Sequence, residues 1–492
     1  MDYTIGADLG TSALKLLLVD GSGQMVRSVT RTYSVFFPRP GWSEQDPADW
    51  WAAFVDGIRT LCAGIDPAHI AGIGLGGQMH GLVALDKHDA VIRPAILWND
   101  GRTAKQTDYL NNVIGKETLS FETSNIAFAG FTAPKLLWLR ENEPENFRRI
   151  CKIMLPKDYI NYRLTGVHAS DYSDASGTLL LNVQKKCWSQ KMLDLCGIPD
   201  TAMPQLFESY EKIGGLLPSA ADMLGLLSGT PVVAGAGDNA AAAVGTGTVS
   251  HGRCNISLGT SGTVFLCTDT LTPDPSNALH AFCHADGGYH RMGCMLSAAS
   301  CNKWFCTDIL KTDDFAAEQA AILSDMLGKN HVFFLPYLMG ERSPINDTDA
   351  TGVFIGIRMD TSRSDLVQAV LEGVAFAIRD NTEAAKALGQ SIISSSLCGG
   401  GARSPLWRKI LCNVLNIPLQ IPQSEEGPGY GAAMLAMVGI GAYPTVTACA
   451  KVLVKTRKMI TPDPAAAMRY EEQYCKFQSI YPSVKQVFQK IQ

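Results

Sequence analysis

Apolar residues crowd Tyr3–Ala7 and Ala13–Val19, a DGSG turn fills 20–23, and a further β-type run covers Met25–Val35. Short runs of this kind punctuated by turn glycines predict an antiparallel meander. More strand is predicted near Ile70–Leu75 and Gly81–Leu85, and Thr132 to about Leu216 reads as mostly helical, with loop stretches such as LTGVHASDYSDASG. From Gly229, in GTPVVAGAGDNAAAAVGTGTVSHGRCNISLGTSGTVFLC, the pattern turns to short β runs, glycine turns and an Ala-rich helix. A second meander is predicted to begin near Cys254. SRSDLVQAVLEGVAFAIRDNTEAAKAL then shows helical periodicity behind serine capping candidates and stops before Gly389. SSSLCGGGARSPLWRKILCNVLNIPLQIP reads as strand, glycine loop, helix, strand.

The tetrapeptide LGTS occupies 9–12, between the first two apolar runs, and returns at 258–261, again between two such runs. Each half thus opens with hairpin, LGTS turn and strand, and continues into helices and further strands. The expected division lies near residue 245, giving units 1–245 and 246–492. At 492 residues the chain is long for a single core, which agrees. The repeat is architectural more than textual, because outside LGTS the halves share little sequence.

Composition narrows the class. The chain is 46% hydrophobic and 18% charged with a net charge of −5, which gives no reason to expect a nucleic acid or an anionic membrane as partner. Its 14 cysteines are scattered without a C-x-x-C pair, the pattern of reduced thiols in a cytoplasmic compartment. MDYTIGADLG lacks the basic and apolar regions of a signal peptide, and no stretch has the roughly 18 uninterrupted apolar residues of a membrane span. A soluble, cytoplasmic protein is expected.

A tight Gly-Thr-Ser turn presents backbone N–H groups and hydroxyls on one side, a concavity suited to phosphate oxygens. Two such turns facing one cleft would grip a triphosphate from both sides. Asp8 precedes the first turn, placed to hold hydrated Mg²⁺, and Lys15 follows it, as a phosphate contact or a solvated strand residue. No G-x-x-x-x-G-K-[ST] is present. GIGLGG at 72–77 fits G-x-G-x-x-G by letter, but QMHGLVALD after it reads as loop and strand, not the helix that a dinucleotide site requires.

DLGTS, SLGTSGT and the late CGGGARS loop together resemble the nucleotide-binding elements of the actin-like ATPase superfamily. Within it the chain resembles the FGGY carbohydrate kinases along its whole length, through LPKDYINYRLTG (155–166), GAGDNAAAAVGTG (235–247) and FLPYLMGERSP (334–344). WSEQDP, GQMHG, AILWNDGR, GFTAPKLLW and FCHA are most similar to the bacterial xylulokinase branch of that family. The resemblance implies an α/β fold of two ribonuclease H-like, actin-like domains with mixed sheets around a central cleft. It implies ATP and Mg²⁺, a small-molecule sugar, specifically D-xylulose, and a dimer as an assembly common in the family.

Roles follow residue by residue. Asp238, in GAGDNA, matches the family's catalytic base; alone it would also read as a turn or N-cap aspartate. Asp8 matches the metal-organising aspartate. Gly10, Thr11, Ser12, Lys15, Gly259, Thr260 and Ser261 are assigned to the phosphates, and Gly399, Gly400, Gly401 and Ala402 to the loop beside adenosine. For the sugar the candidates are Gln78, Met79, His80, Trp98, Asp238 and Asn239. Glycerol kinases carry an Arg-Glu pair where Met79 and His80 stand, which argues against glycerol and fits a pentulose. Arg102 reads equally as an ion-pair residue. His280, Cys283, His284 and His290 cluster in HAFCHADGGYH, but at no common zinc spacing. The rivals are a kinase of ribulose, gluconate or another polyol, and an actin- or chaperone-like ATPase.

Overall fold

A computed structural model describes residues 2–423 and 426–491. The first half opens with β1 (Tyr3–Leu9), β2 (Ala13–Asp20) and β3 (Met25–Thr32), followed by α1 (Pro47–Leu61) and β4 (Ile70–Gly77). After a long excursion come α2 (Pro156–Thr165), β5 (Pro231–Val233) and α3 (Asp238–Gly245). The second half runs β6 (Arg253–Leu258), β7 (Gly262–Thr268), β8 (Tyr289–Met295), α4 (Arg363–Ala387) and β9 (Ser394–Cys398). It continues with α5 (Pro405–Leu415), β10 (Leu419–Pro422) and α6 (Gly427–Gly439).

The strand orders are β3-β2-β1-β4-β5 and β8-β7-β6-β9-β10, each widened by extra strands into a mixed seven-stranded sheet. The two halves therefore share one topology, and LGTS occupies the same first hairpin in each. Local pattern explains why. In β2, Leu14, Leu16 and Leu18 join the core of Trp50, Phe54 and Ile58 on α1, while Leu17 and Val19 join Tyr430 and Met434 of α6. A strand covered on both faces reads as an unbroken apolar run rather than an alternating one. α4 begins at a capping box of Ser362 and Asp365 and ends two residues before Gly389, whose φ is 81°, as its sequence predicts.

One expectation changes. The stretch from Thr132 to Leu216 is mixed, with short strands at Lys152–Met154, Ala169–Asp171, Gln205–Phe207 and Lys212–Gly215 between its helices. Such strands exist through distant partners, as Lys152–Met154 pairs with Val83–Leu85, so no local periodicity announces them. The division near 245 falls at the end of α3, yet the packing crosses it. α6, from the second half, lies on the first sheet, and Ala243 of α3 packs with Phe265, Cys267 and Met292 of the second.

This exchange needs bare backbone. A Cβ on Gly6 would come within 2.0 Å of Gly429 O, one on Gly74 within 2.1 Å of Ala432 O, and one on Gly431 within 1.9 Å of Ala241 O. Any side chain there would force the layers apart. Among the described residues no helix is long and apolar enough to cross a membrane.

Candidate active site

Three parallel strand ends build the site. Asp8 of β1 stands beside Gly76 of β4, and the short strand Ala236–Gly237 pairs with Gly76 and Gly77. The residues that leave these ends, Asp8, Gln78 to His80, and Asp238 with Asn239, are thereby gathered at the carboxyl edge of the sheet, where α/β folds bind ligands.

Asp238 is the first residue of α3, and the cap before it is Gly237, so an N-cap role for Asp238 does not apply. Its Oδ1 accepts from Asn239 N at 2.7 Å and Asn239 Nδ2 at 3.0 Å. No described donor reaches Oδ2. Burial pushes this carboxyl up to about 6, against the pull of the Asn239 N–H. Asp8 is raised further, to about 7, by burial first and then by the charge of Asp238, with Lys15 opposing. Two mutually repelling carboxylates of hard oxygen character suit a divalent cation such as Mg²⁺. Lys15 itself pairs with Glu426, at the start of α6.

The first LGTS turn is held from behind. Gly10 O accepts from the Tyr33 hydroxyl, and Thr11 O accepts from Gln45 Nε2 at 2.7 Å. Gln45 Oε1 in turn takes Trp50 Nε1 at 3.1 Å and Gln78 Nε2 at 2.9 Å. Trp98, 47% exposed, donates Nε1 to Thr11 Oγ1 at 2.9 Å and keeps a bare ring face.

His80 has a φ of 68°, an unusual conformation for a non-glycine residue. Its carbonyl is held by Thr132 Oγ1 at 3.1 Å and by Lys135 Nζ at 2.7 Å. Its Nδ1 lies 2.6 Å from Gly177 O, so Nδ1 carries the proton and Nε2 is left as an acceptor. Burial pushes the ring down to about 3, which keeps it neutral. Phe131 stacks on it at 4.6 Å, and a Cβ on Gly177 would sit 2.4 Å from the ring. Met79 is buried against Gly237, with Asn239 Nδ2 4.0 Å from its sulfur. Gln78 is buried and spends its amide on Gln45, so it braces the turn. Arg102 binds Asp100 and Glu44, each at 2.7 Å, and lies 3.7 Å over Trp42, so its role here is structural.

In the second half, Gly259 O and Thr260 O of the other turn accept from Ala299 N at 2.8 Å and Ala298 N at 3.0 Å. Gly399, at φ 90°, comes so close to Leu258 that an added Cβ would lie 2.7 Å from its carbonyl, which brings the CGGGARS loop against that turn. Between them opens a cavity of about 1160 Å³ lined by Gly259, Thr260, Gly400 and Gly401 together with Lys303 and Gln319. That volume accommodates a nucleoside.

Sequence reasoning left several of these residues without a role. Gln45 lies in the WSEQDP stretch and Lys135 in GFTAPKLLW, both quoted only for their resemblance. Lys303 and Gln319 carried no signal at all. The His280, Cys283, His284 and His290 cluster is absorbed by packing: His280 stacks on Phe282, His290 stacks on Phe265, and His284 Nε2 lies 3.0 Å from Thr248 O. Among the described residues no group of three or more His, Cys, Asp or Glu side chains is arranged to hold a metal.

Residues 3–245 match the N-terminal domain, and residues 254–440 the C-terminal domain, of the FGGY family of carbohydrate kinases. A xylulose kinase of Escherichia coli strain K12 is 43% identical over 436 residues, covering 88% of this chain and 89% of that protein. A crystal structure of a xyloylose kinase from Brucella ovis superposes with a TM-score of 0.93 at 41% identity, covering 99% of this chain and all of that one. That of a gluconate kinase from Lactobacillus acidophilus gives the same TM-score, 0.93, at 26% identity, with full coverage of both chains. Matched by the family's two domains over most of its length, the chain belongs to the FGGY family of carbohydrate kinases.

Proposed function

We propose that this chain transfers the γ-phosphoryl group of ATP to O5 of D-xylulose, giving D-xylulose 5-phosphate and ADP. The observation that carries the reading is Asp238, a carboxyl raised to about 6, held at Oδ1 by Asn239 and close enough for its charge to raise Asp8. Such a group is ionised at neutral pH yet basic enough to take the proton of an alcohol as the P–O bond forms.

The sugar lies against the first half. Neutral His80 offers Nε2 to a hydroxyl, Asn239 offers its amide, and the bare face of Trp98 covers the sugar carbons. ATP occupies the second half, with adenosine beside Gly399–Ala402 and the phosphates between Gly10–Ser12 and Gly259–Ser261. Lys15 stands at the same end through Glu426. Asp8 would hold Mg²⁺, which when bound neutralises phosphate charge; units 1–245 and 246–492 form the two lobes.

The names of the relatives at 41–43% identity favour xylulose. The gluconate kinase of equal fold similarity makes gluconate the second reading, because the fold is common to both. The test is Mg-ATP turnover, followed as ADP release, with D-xylulose, L-ribulose, D-ribulose, gluconate, glycerol and no sugar. Stimulation by D-xylulose above all others is the expected result. Stimulation by gluconate instead transfers the reading to that acid, and hydrolysis indifferent to every sugar points to an ATPase machine.

A further inference from the structure

Behind Asp238 lies a group of buried charges that phosphoryl transfer, as described above, does not use. Lys157 sits in the first turn of α2 with no exposed surface. Its Nζ lies 2.6 Å from Asp158 Oδ1, 2.8 Å from Asp171 Oδ1 and 3.7 Å from Asp174 Oδ2. All three carboxylates are buried. Taking four ionisable groups out of water costs more than apolar packing of the same volume, so stability alone accounts poorly for them.

The geometry leads from this cluster to the base. Asp171 Oδ2 accepts from Ser173 N at 2.8 Å, Ser173 Oγ at 2.5 Å and Ser209 Oγ at 2.7 Å. The Ser173 hydroxyl proton is thereby committed to Asp171, which leaves the oxygen lone pairs for another donor. That donor is Gly237 N, at 3.1 Å, the last backbone N–H before Asp238. Gly237 is also the residue whose missing side chain lets Met79 pack close. The Asp238 charge is among those that raise Asp174, an independent sign that the cluster lies close to the base.

We propose that Lys157, Asp171 and Ser173 form a buried positioning relay that holds Gly237, and through it the Asp238 carboxylate, at the reacting hydroxyl. None of the three touches substrate in this arrangement; each acts through the next. The proposal rests on Asp238 being the base. Lys157 anchors the chain because it bridges α2, the strand Ala169–Asp171 and the segment that follows it. Asp171 carries that order to Ser173, and Ser173 delivers it as one hydrogen bond.

Ser173→Ala breaks the last link while keeping every charge in place, whereas Lys157→Met would strand three carboxylates and is apt to unfold. In Ser173→Ala, kcat with the best sugar should fall about tenfold or more, because small misplacements of a reacting group are costly in rate. The sugar Kd by calorimetry and the ATP KM should stay within about twofold. Asp238→Asn and the double variant complete a cycle, and the double variant should be no slower than Asp238→Asn alone. Full kcat in Ser173→Ala overturns the relay, as does a loss shared between kcat and both binding constants. A multiplicative loss in the double variant overturns it too, because the two residues would then act independently. Wild-type kcat in Asp238→Asn alone overturns the base assignment instead, and so separates the two failures.

Discussion

Asp238→Asn should abolish turnover and at the same time stabilise the ligand-free protein, with a pH signature that follows from its burial. Asparagine keeps the acceptor that Asn239 N and Nδ2 use, so no hydrogen bond is lost. In the wild type the folded-state carboxyl titrates at about 6, against the ordinary aspartate value of 3.8. A raised carboxyl binds its proton more tightly folded than unfolded, so its contribution is full below about pH 4 and is lost as the pH climbs through 6. Two units correspond to about 3 kcal/mol at most, and the partial exposure of Asp238 to the cleft reduces this to about 1–2 kcal/mol. For a lobe of this size that means a Tm higher by about 2–8 °C at pH 8. Because the loss grows from pH 4 to 6, about half of the gain should remain at pH 5. Thermal or urea unfolding of both proteins at pH 5 and pH 8, without ATP or Mg²⁺, measures it. Turnover by coupled ADP release should fall about 10²–10⁴-fold with nucleotide affinity nearly intact. A variant no more stable than wild type at pH 8, or one equally stabilised at both pH values, would refute this account of the site.

Three further outcomes follow. kcat/KM for the sugar should drop tenfold per pH unit below an apparent pKa of about 6, the value at which Asp238 takes its proton; a flat profile between pH 5 and 8 removes it from the rate. His80→Ala should raise the sugar KM about tenfold or more and leave the ATP KM alone, since among the described residues the ring's polar partner is Gly177 O, at Nδ1, which leaves Nε2 for a hydroxyl; a change confined to nucleotide affinity would place His80 elsewhere. Gly431→Ala should lower Tm by several degrees or prevent folding, because its Cβ would lie 1.9 Å from Ala241 O; a variant with wild-type Tm would mean the two helices can part without loss.

Much of the site was legible because its signals are local. A hairpin with Gly-Thr-Ser at its tip declares its turn and its hydroxyls within a few residues, and so do GAGDN and CGGGARS. The duplicated topology was also readable from two meanders with the same turn. The bracing was not. Gln45 reads as one polar residue in a loop, yet it joins Thr11, Trp50 and Gln78 across three elements. Lys15 reads as a phosphate contact, and its partner Glu426 stands at the far end of the chain. Tyr430 donates to Gly23 O, 407 residues away, which no window of sequence can anticipate. The HAFCHADGGYH stretch shows the converse. Its histidines look like ligands by letter, and aromatic neighbours claim them instead.

The exchange of the last helices explains why the reactive residues sit where they do. Asp238 opens α3, which ends with Gly245 against Gly427 O, and α6 opens beside Asp8, whose Cβ would lie 3.8 Å from a Cβ on Gly429. α3 therefore begins at the strand end that carries Asp238, and α6 begins where α3 ends, beside Asp8. The contact between them brings backbone against backbone, with Ala241 and Val244 of α3 and Tyr430, Ala433 and Met434 of α6 packed around it, so the strand-end carboxylates are held by one dense block.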